Sequence, residues 1–103
     1  LLLADTLGID ARTMIDVVGA GAGGSWQLAN LGPKIIAGDF APGFRVDLVL
    51  KDLAIVADAA RAAHLPLAAT ALAEALFRSV AAYGGGELGT QAMATALRRL
   101  AGE

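Results

Sequence analysis

Apolar residues recur along the chain at intervals of three and four residues, which is the period of amphipathic helices. Met14, Val17 and Val18, for example, share one face of a helix that Asp10 is suited to cap. No segment shows the strict alternation of apolar and polar residues that is typical of a half-buried strand. The pattern therefore predicts an all-α protein, one small unit of about five or six helices.

Capping and helix-breaking residues divide this pattern into elements. In the first part of the chain we predict a helix over residues 1–7 that Gly8 stops, a helix from Asp10 to Val18, and a helix capped by Ser25 that Gly32-Pro33 bends or restarts. A loop over residues 38–44 follows. In the second part we predict a helix over residues 46–63, a helix that Pro66 opens and that runs to Tyr83, and a last helix that Thr90 caps. In the last helix, Met93, Leu97 and Leu100 share a face, and Met93 is expected to belong to the core.

Composition supports a helical protein and excludes several classes of function. Of the 103 residues, 56% are hydrophobic but only 5% aromatic, so alanine and leucine carry the apolar content. The net charge of −2 gives no basic surface for nucleic acid. With no cysteine and one histidine, neither a disulfide framework nor a metal site is expected.

The mean hydropathy of +0.61 raises the question of a membrane span. No stretch of about 20 apolar residues is free of charges and of proline, and the N-terminus lacks a basic signal-peptide region. We therefore expect no membrane segment and a cytoplasmic protein. The chain opens on LLLADTLG without Met, and its apolar excess exceeds what a small solvated domain needs, so we expect part of a longer protein with a partner surface.

The stretch MIDVVGAGAGGSW contains Gly19, Gly21 and Gly24 at the spacing G-x-G-x-x-G. This spacing suits either the phosphate-binding turn of a dinucleotide site or a hinge between two helices. A dinucleotide turn requires a strand before it and a second parallel strand after it. Because the flanking segments have helical spacing, the helix–hinge–helix interpretation is favoured.

A more promising candidate for chemistry is GFRVDLVLKDLAIVADAA, residues 43–60. On a helix, Asp47, Lys51, Asp58 and Arg61 fall in one solvated stripe, whereas Asp52 lies among aliphatic neighbours. A carboxylate there is costly unless something satisfies it. Two alternatives remain open: Asp52 caps or pairs with a neighbouring helix, or it borders a cleft and organises Lys51 or a ligand.

Other polar residues have simple structural interpretations. His64 lies near a helix end, where it suits the C-terminal dipole, and the same applies to Arg98 and Arg99. Glu74 and Arg78 are spaced for an i,i+4 pair on a helix surface.

Four motifs, in this order and spacing, resemble a known family. GGSW with Trp26, NLGPKI, GDFAPGF and DLVLKDLAIVADAA are similar to the C-terminal helical domain of the β-hydroxyacid dehydrogenases, over essentially all 103 residues. The pattern from Phe44 to Leu53 is the most specific part. The resemblance implies an all-α domain like the C-terminal domain of 6-phosphogluconate dehydrogenase.

The resemblance also implies roles for individual residues. Lys51 matches a lysine that approaches the nicotinamide cofactor, and Asp52 matches an aspartate at the substrate pocket. Phe44 matches an aromatic residue that closes over substrate or nicotinamide. Trp26 either lines the same cleft or belongs to the core. The Gly19–Gly24 run matches the variable hinge of the family and not its cofactor fingerprint.

The implied whole enzyme transfers hydride between NAD or NADP and a short 3-hydroxy acid or its semialdehyde. Its N-terminal Rossmann domain and its general acid/base lysine would both lie before Leu1, so no catalytic residue is expected in these 103 residues. The implied role of the chain is to supply one wall of the cleft and a contact in a homodimer or higher homo-oligomer. The alternative is a non-catalytic helical dimerisation module.

Overall fold

The computed structural model describes all 103 residues and contains helices without any strand. The elements are α1 (Leu2–Thr6), α2 (Ala11–Gly19), α3 (Trp26–Ala37), α4 (Val46–Ala62), α5 (Ala68–Ala82), a 3₁₀ turn (Thr90–Ala92) and α6 (Met93–Leu100). The predicted all-α class and helix number are confirmed. Where the sequence predicts one unit, the chain divides into two compact units, Leu1–Phe40 and Ala41–Glu103.

The first unit contains α1, α2 and α3, and side-chain caps begin two of these helices. Asp10 accepts a hydrogen bond from the Thr13 backbone N–H at 2.9 Å, and the Ser25 hydroxyl accepts one from Leu28 at 2.9 Å. Both caps confirm the sequence prediction. Buried Ile15 of α2 packs against Gly32 of α3.

The predicted interruption at Gly32-Pro33 is wrong insofar as the helix does not restart there. Helix α3 runs from Trp26 to Ala37 with Pro33 inside it. Proline costs one backbone hydrogen bond within a helix, but it does not by itself end the helix. Gly32 is buried, so packing against α2 offsets part of that cost.

The second unit packs α4 against α5 and α5 against α6. Its buried core residues are Val46, Phe77, Val80, Ala92 and Ala96. Two expectations for the last helix differ from the structure. Thr90 does not cap α6 but begins the 3₁₀ turn, and Met93, expected in the core, is only half-buried. Leu97 and Leu100, on the same face of α6, are exposed. Alanines face the core there because they permit closer contact between helices than leucines.

The start of α5 also differs slightly from the prediction. Leu67 has φ −117° and ψ 75°, which are not helical values, so α5 begins at Ala68 and not at Pro66. The other end agrees with the prediction, because Gly84 follows the last turn with φ +89°.

No helix in the chain is both long enough and apolar enough to cross a membrane.

Candidate functional site

The residues that the sequence singles out fall in both units. Trp26 is the first residue of α3 in the first unit, and 69% of its surface is exposed. Phe44 precedes α4 in the second unit and is 44% exposed. Lys51 and Asp52 lie in the second turn of α4, and both are exposed. The structure therefore places three of the four residues on α4 and the segment leading into it.

Helix α4 has one face turned to the core of the second unit and a second, apolar face that is substantially exposed. Val46 is fully buried, and a rotation of about 100° per residue places Leu48 and Ile55 within about 20° of the opposite side. Leu48 is 43% exposed and Ile55 63% exposed. We call Leu48 and Ile55 the outer stripe of α4.

Lys51 and Asp52 flank the outer stripe. The same rotation places Lys51 about 40° to one side of the stripe and Asp52 about 40° to the other. Neither side chain forms an ion pair or a hydrogen bond within the chain. The structure thus shows no network through which Asp52 caps or pairs with a neighbouring helix. A cation and an anion instead border an exposed apolar surface.

The segment that carries Phe44 is fixed by hydrogen bonds to residues 86–91. Val46 N–H donates to Leu88 O at 2.8 Å, and Thr90 N–H donates to Phe44 O at 3.0 Å. Gln91 is 4% exposed, and its side-chain Nε2 donates to Ala41 O at 3.0 Å. We call residues 41–47 the strap. The sequence does not indicate the role of Gln91, because a glutamine beside an alanine-rich helix carries no specific signal.

Ion pairs near the strap are exposed and therefore weak. Arg45 Nη2 lies 3.6 Å from Asp47 Oδ2 and 3.6 Å from Glu87 Oε1, and all three side chains are substantially exposed. The predicted stripe of Asp47, Lys51, Asp58 and Arg61 is exposed as expected. Within it, Arg61 and Asp58 form an ion pair at 3.0 Å.

A cleft of about 330 Å³ lies between the C-terminal half of α4 and the first half of α5. The lining residues are Ala57, Ala60, Arg61, Leu65, Leu67, Thr70, Ala71, Glu74 and Arg78. The predicted Glu74–Arg78 pair is confirmed at 3.3 Å. None of the candidate residues Phe44, Lys51 and Asp52 lines this cleft. No cluster of three or more His, Cys, Asp and Glu side chains in the chain could hold a metal ion.

The glycine-rich run lies between two helices. Gly19 is the last residue of α2, Ser25 caps α3, and the glycines between them form turns. The favoured helix–hinge–helix interpretation is confirmed. In a dinucleotide site a strand precedes the phosphate-binding turn, and this chain has no such strand.

Comparisons with known proteins agree on one family of enzymes. A family model described as "NAD-binding of NADP-dependent 3-hydroxyisobutyrate dehydrogenase" matches residues 1–97. The chain is 49% identical over 96 residues to an uncharacterised oxidoreductase of Synechocystis sp., and the aligned region covers 93% of this chain and 32% of that protein. It is 44% identical over 86 residues to L-threonate dehydrogenase of Escherichia coli, which covers 82% of this chain and 28% of that enzyme.

A solved structure shows the same fold. The crystal structure of 3-hydroxyisobutyrate dehydrogenase from Salmonella typhimurium matches with a TM-score of 0.83 and 37% identity, over 88% of this chain and 32% of that chain. The chain thus spans about a third of the length of the relatives it matches.

Proposed function

The chain belongs to the 3-hydroxyisobutyrate dehydrogenase family, and from this premise we propose that it is the C-terminal helical domain of an enzyme that oxidises short 3-hydroxy acids or reduces their semialdehydes. The family model confirms the expectations of an oxidoreductase family and of an NAD(P) cofactor. A cytoplasmic location stays a prediction from the sequence.

The proposed position within a longer enzyme is supported by the all-helical structure. A Rossmann domain requires a sheet of parallel strands, and no residue of this chain forms one. Relatives about three times as long leave room for such a domain outside these residues. In this proposal, residues 1–103 form the substrate and dimerisation domain, and the catalytic lysine precedes Leu1.

The outer stripe of α4 is the observation that carries the proposal. Exposed apolar residues flanked by one cation and one anion fit the edge of a cleft that binds an amphipathic ligand. The Lys51 ammonium offers three N–H donors to oxygens of the cofactor or substrate. The Asp52 carboxylate accepts hydrogen bonds, so it can orient nearby donors.

The chemistry of this donor set fits a nicotinamide cofactor, which supplies or accepts the hydride when bound. This chain would then form one wall of the site. Lys51 would bind oxygens of the cofactor, and Asp52 would orient donors at the substrate. Phe44, held in the middle of the strap, would exclude water from the cleft. The family resemblance also implies a substrate contact for Trp26, which is exposed at the start of α3 in the first unit.

Replacement of Lys51 tests the proposal in the full-length enzyme. Lys51→Ala removes a charge-assisted contact, so we expect the KM for NAD(P) to rise about tenfold or more. Lys34→Ala, at the chain's other lysine, is the matched control and should change this constant less than about twofold. An unchanged KM and kcat in Lys51→Ala would refute the role of Lys51.

The second candidate function is a non-catalytic dimerisation module. Exposed leucines on α6 favour it, since Leu97 is 42% and Leu100 is 76% exposed. A homodimer or higher homo-oligomer is compatible with both functions. The full-length protein distinguishes them by light scattering combined with NAD(P) titration, because a stable oligomer with no affinity for cofactor would favour the module.

A further inference from the structure

Gln91 is the buried polar side chain whose role neither the sequence nor the family comparison assigns. It lies in the 3₁₀ turn between α5 and α6 and is 4% exposed. Buried side-chain amides are generally hydrogen-bonded, and Gln91 Nε2 donates to Ala41 O, 50 residues earlier in the chain, at 3.0 Å. This hydrogen bond joins the start of the strap to the 3₁₀ turn before α6.

The surroundings of Gln91 are shaped to hold its amide in place. Gly89 lies so close that a Cβ at this position would overlap the Gln91 amide group. Gly89 also pairs with Arg45 in an isolated antiparallel bridge. The same segment donates the Thr90 N–H to Phe44 O at 3.0 Å.

Hydrogen bonds between the strap and residues 86–91 fix the strap at several points along its length. Gln91 holds its start at Ala41, Thr90 holds Phe44, and the Asp47 N–H donates to Gly86 O at 2.9 Å at its end. A half-exposed aromatic side chain on a loop binds a ligand well only if the loop backbone is already ordered, because ordering it on binding costs affinity.

We propose that Gln91 is a positioning residue that preorganises the strap and, through it, holds Phe44 ready for the substrate. The inference rests on the proposed function for the role of Phe44. The contact that Gln91 makes with the strap does not depend on that role.

Two variants of the full-length enzyme break the contact in different ways. Gln91→Met keeps the length of the side chain but removes the N–H donor. Gly89→Ala keeps the glutamine and displaces its amide. Gln27→Met is the matched control, because Gln27 is exposed on α3.

Hydrogen exchange measures the strap without any ligand. In both variants, amides of residues 41–47 and 86–91 should exchange about fivefold faster or more, because the local opening free energy falls. Amides of α5 should change less than about twofold, which separates local loosening from global unfolding. Unchanged exchange in residues 41–47 would overturn the proposal.

Kinetics test the consequence for the substrate. We expect Gln91→Met to raise the substrate KM about fivefold while kcat and the KM for NAD(P) change less than about twofold. In the double variant with Phe44→Ala, the substrate KM should equal that of Phe44→Ala alone, because both changes act through one side chain. If the two substitutions instead raised the substrate KM by the product of their separate effects, the proposal would be overturned. If Phe44→Ala leaves the substrate KM unchanged, the proposed role of Phe44 fails, whereas the exchange rates still decide whether Gln91 orders the strap.

Discussion

Gly32 of α3 faces Ile15 of α2 at such close range that a Cβ on Gly32 would lie 2.8 Å from Ile15 Cδ1. Ile15 is 7% exposed, and Gly32 is also buried. Glycine at position 32 therefore serves the packing of two helices and not the interruption of one.

Gly32→Ala tests this contact. The added methyl overpacks the interface at a cost of about 1–3 kcal/mol, which opposes a gain in helix propensity of about 1 kcal/mol. We expect no net stabilisation in the wild-type background. In the Ile15→Val background, which lacks Cδ1, the same change should raise the free energy of unfolding. Urea denaturation of the wild type, the two single variants and the double variant measures the coupling free energy between the two positions. Additive changes in the free energy of unfolding would contradict the contact. Gly19→Ala, where an added Cβ meets nothing within 4 Å, is the control.

His64 takes the left-handed backbone conformation at the end of α4, where glycine takes it after α1, α3, α5 and α6. Leu65 N–H donates to Ala60 O and His64 N–H donates to Arg61 O, which is the Schellman pattern at the end of α4. His64 has φ +54°, whereas glycine takes the left-handed position after α3 and after α5. The sequence prediction of His64 near a helix end is confirmed, but its backbone conformation is strained.

His64→Gly is expected to stabilise the protein. Removing the Cβ relieves the left-handed conformation, and the greater freedom of glycine in the unfolded chain offsets part of this gain. We expect the free energy of unfolding to rise by about 0.5–1 kcal/mol. Gly38→Ala, at the corresponding position after α3, should lower it by about 1 kcal/mol. Thermal denaturation measures both, and a loss of stability in His64→Gly would contradict the prediction.

Asp10 makes the stability of α2 depend on pH. The Thr13 backbone N–H and then the Thr13 hydroxyl donate to its carboxylate, and they hold the pKa of Asp10 below its ordinary value of 3.8. A group with a lowered pKa in the folded state stabilises the fold above its unfolded pKa and loses this effect as the pH falls through the folded pKa. The stabilisation by Asp10 should therefore disappear on acidification below about pH 3.8.

Asp10→Asn retains a capping side chain but removes this titration. Its stability, measured by denaturation between pH 2 and pH 6 (about the range in which Asp titrates), should fall less on acidification than that of the wild type. Asp16→Asn, in the same helix but not at its cap, controls for the loss of one negative charge. If the stability of Asp10→Asn and that of the wild type depended equally on pH, the Asp10 carboxylate would not contribute to the pH dependence of stability.

Ile55 tests whether the outer stripe of α4 is covered in the full-length enzyme. Ile55→Glu places a carboxylate on the stripe, and burial of an unpaired carboxylate is costly. We expect kcat/KM to fall about tenfold or more. Ala54→Glu adds the same charge to an exposed position off the stripe and should change kcat/KM less than about threefold. Equal effects of the two substitutions would indicate that the stripe faces solvent.

The candidate site was predictable in part. Phe44, Lys51 and Asp52 were singled out from one sequence segment, and the structure places them on α4 and the strap. Gln91 was not predictable, because its bond to Ala41 spans 50 residues and leaves no periodic signal in the sequence. The environment of Asp52 required coordinates as well, since helical spacing gives its neighbours but not whether they are covered.

The sequence by itself determined the helices and most of their ends. Apolar spacing, the caps at Asp10 and Ser25, and the stop at Gly84 are interactions within a few residues, so local chemistry is sufficient to set them. Only the tertiary structure decided which faces are buried, why Gly32 is tolerated inside α3, and how the strap is held. Those features depend on contacts between residues far apart in the chain, whose free energies no local pattern records.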